Sequence, residues 1–175
     1  MAAGAQQLLL GAQVGLPVLL TLAAVWDVRY RRIPNWLSLG GMAAGLVLWT
    51  WHSGFSGFLA SMSGLLLGGA FLLPFYIARG MGAGDVKLMG AVGSFLGPYH
   101  VLAATIVVAL LGGVIAAWVA YRQKRLKAAL RDSLMVVFRQ KSLKTLEHAT
   151  NEDTIPYGLA IAAGTLLYLV LTVIS

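Results

Sequence analysis

Apolar residues in this chain run in long unbroken stretches instead of alternating with polar ones. No charged side chain occurs in residues 1–26, 33–78, 88–121 or 154–175. A membrane-spanning helix needs about 20 such residues. The first predicted helix covers 7–26 and ends at Asp27. The stretch 33–78 holds 46 residues, too many for one crossing, and Trp51-His52-Ser53-Gly54 divides it into helices over 36–51 and 58–77. Pro34 precedes the second helix, and Pro74 should kink the third. The stretch 88–121 divides at the turn signal Gly97-Pro98-Tyr99-His100, giving a short helix over 84–96 and another over 101–121. A sixth helix begins at Pro156, where proline suits a first turn, with Asp153 or Thr154 as its cap. The pattern predicts an all-α polytopic membrane protein with about six transmembrane helices. It forms a single domain over 1–175, with a basic loop at about 122–153.

Composition agrees. The chain is 59% hydrophobic and 11% charged, whereas soluble domains carry about 25% charged residues. The net charge of +7 raises nucleic acid as a partner. The basic residues sit at the ends of apolar runs, however, which points to topology signals and anionic lipid instead. With no cysteine in the chain, disulfides, thiolate metal sites and a cysteine nucleophile are excluded. The positive charges follow the first apolar run rather than precede it, so 1–26 reads as a retained helix and not as a signal peptide.

The charges also orient the helices. All 13 Lys and Arg residues fall within 29–32, 79–87 and 122–144. Six crossings put these segments on one side, and the positive-inside rule makes that side cytoplasmic. Both termini then face away from the cytoplasm. The opposite side carries His52 and His100 but no Asp, Glu, Lys or Arg. If helix 84–96 did not cross, the eight basic residues of 122–144 would lie outside. Its shortness implies local membrane thinning or a cavity at one end. Within 122–144, Leu126, Leu130, Leu134, Val137 and Phe138 follow helical spacing beside a basic flank. This segment is either a membrane-surface helix or a topology signal alone.

Two acidic residues stand where helices meet the cytoplasmic face. Asp27 ends the first helix, and Asp85 opens the fourth within Gly80-Met81-Gly82-Ala83-Gly84-Asp85. Singly, each has a plain reading: Asp27 as an interfacial charge answering Arg29, Arg31 and Arg32, Asp85 as an acidic residue favoured at a helix N-terminus. Ionisable residues beside hydrocarbon are nonetheless functional candidates. Two carboxyl groups brought together can hold one proton between them. The ionised member can then activate water while the protonated one donates to a scissile carbonyl. That chemistry needs no metal or cofactor. Gly82 and Gly84 allow unusual backbone geometry or close approach of a substrate backbone, or serve close helix packing. Lys87 either tunes Asp85 or snorkels to the interface. Trp26, Trp36, Trp49 and Trp51 read as interfacial anchors.

At these residues the chain resembles the type IV prepilin peptidases, members of the GxGD class of intramembrane aspartyl proteases. Three strings carry the likeness. They are the segment from Asp27 to Ile33-Pro34-Asn35, the segment Gly82-Ala83-Gly84-Asp85-Val86-Lys87-Leu88, and Ile155-Pro156-Tyr157-Gly158, which is similar to the Pro-Tyr-Gly start of a late helix. The resemblance implies Asp27 and Asp85 as the catalytic pair, supported by Gly82, Gly84, Lys87, Pro34 and Asn35. It implies removal of a short basic leader from prepilins or pilin-like proteins at the cytoplasmic face of the bacterial inner membrane. Larger members also methylate the new N-terminus and carry a cysteine-bearing cytoplasmic domain. This chain looks like the compact form associated with Flp/Tad-type pili, which speaks against methyltransferase activity. The alternatives are a small proton- or cation-coupled transporter using the same aspartates, and a noncatalytic scaffold.

Overall fold

The computed structural model describes residues 2–30, 32–77, 81–122 and 157–174, with side chains for 14–30, 32–77, 81–114 and 157–172. Among these residues the chain is all-α, without a strand. It forms α1 (Ala2–Tyr30), α2 (Asn35–Ile77), α3 (Ala83–Arg122) and α4 (Tyr157–Ile174). Met1–Gly112 with Pro156–Ser175 make one compact unit and Gly113–Ile155 another; Asp27 and Asp85 both belong to the first. The predicted surface helix within 122–144 and the cap at 153–154 lie outside the described residues.

The sequence predicted six helices and the described residues form four, because two of the predicted pairs are each joined into one helix. α2 has one non-helical residue, Gly54 (φ 60°, ψ −140°), and α3 has one, Gly97 (φ 73°, ψ 178°). Only glycine takes such positive φ values without strain. Both residues fall within the predicted turn segments. The backbone of α2 breaks at Gly54 and not at Pro74. α1 runs one turn beyond its predicted end, so Asp27 sits inside its last turn, not at its terminus.

Contacts on either side of Gly54 run in opposite senses along α3. Before it, a Cβ on Gly41 would touch Ala91, one on Gly45 would clash with Ser94, and the Trp49 indole donates to the Phe95 carbonyl. After it, Ser61 donates to the Ser94 carbonyl, Gly64 abuts Gly93, and Gly68 abuts Met89. The number on α3 rises with α2 before Gly54 and falls after it, so α2 doubles back. A helix of its 43 residues would extend about 65 Å unbroken, roughly twice the hydrocarbon thickness of about 30 Å. α3 doubles back at Gly97 as well: Gly68 meets both Met89 and Val101.

The first half of α3 is the centre of the unit, and every residue from 88 to 97 is buried. Its neighbours approach through small residues. The buried face of α2 is Leu37, Ser38, Gly41, Gly45, Gly57, Ser61, Gly64, Gly68 and Leu72, spaced three to four apart except for the adjacent Leu37 and Ser38 and the step across the break. Large apolar side chains of α2 point the other way, including Val47 (63% exposed), Phe55 (74%) and Leu66 (60%). Small residues inside and bulky apolar residues outside are the arrangement of helices packed in lipid, where contact is driven by close backbone approach. α2 and the Ala83–Val114 part of α3 are long and apolar enough to cross a membrane.

The break in α3 shows how freed backbone groups are satisfied. Pro98 has no N–H, so the Ser94 carbonyl loses its i+4 donor; Ser61 replaces it at 2.8 Å. The left-handed turn at Gly97 releases the Phe95 carbonyl, which takes the Trp49 Nε1–H at 2.8 Å. Trp49, expected as an interfacial anchor, is instead a structural donor to this break.

Candidate active site

α1 packs on the first half of α3 in antiparallel fashion. A Cβ on Gly15 would lie 3.1 Å from Phe95, while twelve residues further along α1 Asp27 interacts with the charge of Asp85. The end of α1 and the start of α3 therefore meet. Asp27 is 6% exposed and Asp85 8%. Residues 58 positions apart in sequence thus place two buried carboxyl groups within electrostatic reach of each other. The structure brings together the pair that the sequence singles out.

Asp85 is fixed by its own helix. Gly82 precedes the first residue of α3 and Asp85 is the third, which are the positions of a capping box. The Asp85 amide donates to the Gly82 carbonyl at 3.1 Å, and the Gly82 amide donates back to Asp85 Oδ2 at 3.1 Å. Neither Gly82 nor Gly84 has a positive φ; among the described residues only Gly54 and Gly97 do. The expectation of unusual backbone geometry at this motif is therefore replaced by close approach. A Cβ on Gly84 would lie 3.2 Å from Ile33 Cβ, and one on Gly82 would lie 3.3 Å from Asp85 Oδ2.

The segment between α1 and α2 is tied to the same turn. The Pro34 carbonyl accepts from the amides of Leu37 (3.1 Å) and Ser38 (3.4 Å), closing the first turn of α2. Asn35, at the head of that turn, accepts a hydrogen bond from Lys87 Nζ through Oδ1 at 2.8 Å. Neither sequence reading of Lys87 anticipated this bond, which joins the Ile33-Pro34-Asn35 string to the string carrying Asp85. Trp26 and Trp36 meet edge-on beside it, with ring centroids 5.8 Å apart.

Asp27 is held from a third direction. The Leu159 amide, in the first turn of α4, donates to Asp27 Oδ2 at 3.2 Å. Gly158 is buried against the same carboxyl group. Tyr157, next to it, lies within electrostatic reach of Asp85. Sequence reasoning recognised the Pro156-Tyr157-Gly158 string but gave its residues no role. The available signal was a glycine in a helix's first turn, where a side chain would ordinarily be harmless.

His100 stands away from this site, its Nδ1 2.7 Å from the Tyr168 hydroxyl. Among the described residues no three His, Asp or Glu side chains group as a metal site. The arrangement offers two carboxyl groups, the nearby Tyr157 phenol and, two residues beyond Asp85, the Lys87 ammonium bonded to Asn35.

Comparison with curated proteins and with solved structures returns no significant match. A family model does match, over residues 14–117, a span that includes both aspartates, the Pro34-Asn35 connector and the capped turn. That span is more than half of the chain, which belongs to the type IV leader peptidase family and is a peptidase of the membrane.

Proposed function

We propose that this peptidase is an aspartic endopeptidase that cleaves the short basic leader from prepilins or pilin-like proteins. Asp27 and Asp85 share the catalysis. The observation that carries this reading is the pairing of two buried carboxyl groups from distant parts of the chain. A packed membrane core gains nothing from two acidic groups near each other, whereas acid–base hydrolysis of a peptide by an aspartate pair uses both. The ionised carboxylate takes a proton from a water molecule as that water attacks the scissile carbonyl. The protonated carboxyl group donates to the carbonyl oxygen, and a tetrahedral diol forms. Collapse of the diol breaks the C–N bond as the leaving amine takes a proton from the pair.

The doubled-back α2 and α3 support six crossings, because they turn the four described helices into six membrane-length or shorter segments. Six crossings place the basic segments on one face, and the positive-inside rule makes it cytoplasmic. The site then opens where a basic leader would remain after its apolar helix has entered the inner membrane. A transporter would be expected to bind near the midplane, whereas Asp27 and Asp85 lie in terminal turns of their helices. The test is co-expression with each pilin-like protein of the same genome, followed by intact-mass measurement of the pilin. Loss of a leader-sized mass supports the reading, while full-length pilins throughout refute it.

A further inference from the structure

Asp27 occupies an unfavourable position in its own helix. It lies in the last turn of α1, where carbonyls point outward and the helix dipole disfavours a negative charge. What offsets this is another helix. The first amides of α4 have no partners within that helix, and one of them, from Leu159, donates to Asp27 Oδ2. A Cβ built on Gly158 would lie 2.7 Å from Asp27 Oδ2, 2.9 Å from Cγ and 3.1 Å from Cβ. Three successive atoms of one short side chain thus rest on this glycine. The carboxyl group cannot swing clear of a methyl there, because its own Cβ is in contact too. The side chain of Leu159, by contrast, is 39% exposed, so its amide and not its side chain serves the site.

We propose that the first turn of α4 is the seat of Asp27: Gly158 and the Leu159 amide are positioning residues that set where its carboxyl group faces Asp85. The inference rests on the aspartic-peptidase reading. It adds to the site a turn beyond residue 117, where the family match ends. It also explains why a late-helix string accompanies the two aspartate strings, since the turn that seats Asp27 brings Tyr157 towards Asp85.

Three variants test it: Gly158→Ala crowds the carboxyl group, Leu159→Pro removes the amide donor and sets a ring carbon in its place, in a turn that tolerates proline, and Leu159→Ala keeps the donor. Leader cleavage by Leu159→Ala stays within about twofold of wild type. Gly158→Ala lowers kcat about 100-fold, as expected for a displacement of about 1 Å, and Leu159→Pro lowers it about tenfold. KM changes little in either, because leader binding does not use these groups. In protein carrying carbon-13 at the aspartate γ-position, the Asp27 resonance is identified by its absence in Asp27→Asn. It moves in Gly158→Ala and Leu159→Pro and stays in place in Leu159→Ala. Near-normal kcat in Gly158→Ala overturns the seat, as does an unmoved Asp27 resonance in inserted protein. Failure of both altered variants to insert, with Leu159→Ala inserting normally, also counts against it, because positioning residues should leave a folded protein. If wild type cleaves no pilin yet the resonance moves as stated, the seat stands and the functional reading falls.

Discussion

At the Gly97 end of the central helix, polar groups stripped from the helix ladder are covered by single neutral donors from α2. Ser61 meets the Ser94 carbonyl and Trp49 meets the Phe95 carbonyl. At the other end, the polar groups are two buried carboxyl groups within electrostatic reach of each other, each taking a backbone amide from a helix N-terminus. The first arrangement removes a cost that Pro98 and Gly97 create. The second introduces one, since like charges in a buried place repel. The contrast separates polar groups kept for folding from polar groups kept for chemistry. It predicts that variants at one end lower stability and spare cleavage, and that variants at the other do the reverse.

The largest loss of stability is expected where backbones touch between these ends. Gly64→Val places a side chain into the Gly93 carbonyl and the Gly97 backbone. Overpacking of this kind costs about 3 kcal/mol or more, and little folded protein should survive gel filtration in detergent. Next comes Gly84→Val, which pushes Ile33 and its connector away from α3. It should lower the cleavage rate about 100-fold with a smaller effect on melting temperature. Lys87→Met cuts the tie to Asn35 and should slow cleavage about tenfold, with partial recovery in Lys87→Arg. Ser61→Ala leaves the Ser94 carbonyl uncovered and should cost about 1 kcal/mol of stability, read from thermal unfolding, with cleavage by the surviving protein unchanged. The smallest effect belongs to Tyr168→Phe, which removes an exposed hydrogen bond to His100. It should alter stability by under about 1 kcal/mol and cleavage not at all.

Much of the fold was legible because lipid imposes long apolar runs and because glycine and proline punctuate them. Gly54 and Gly97 were placed within turn segments by those signals alone. The joining of helices across these residues was not legible, since one left-handed residue turns a chain without leaving a polar loop. The inward face of α2 was also hidden. In a soluble protein the buried stripe is the apolar one, but here it is glycine and serine, and hydropathy cannot distinguish it from its surroundings. At the site, Asp27 and Asp85 stood out as acidic residues at the ends of apolar runs. The bond from Lys87 to Asn35 and the seat at Gly158 and Leu159 did not. They depend on side chains and amides meeting across 52 and 132 positions of sequence, which spacing does not encode.

The most direct test measures leader removal and thermal unfolding together, on the same preparations of wild type, Asp27→Asn and Asp85→Asn. Asparagine keeps the shape and can still accept the Leu159 or Gly82 amide, but it cannot ionise or share a proton. Both variants should insert, unfold at or above the wild-type temperature because the repulsion is gone, and leave the pilin leader uncut. Cleavage near the wild-type rate by either variant would contradict the account.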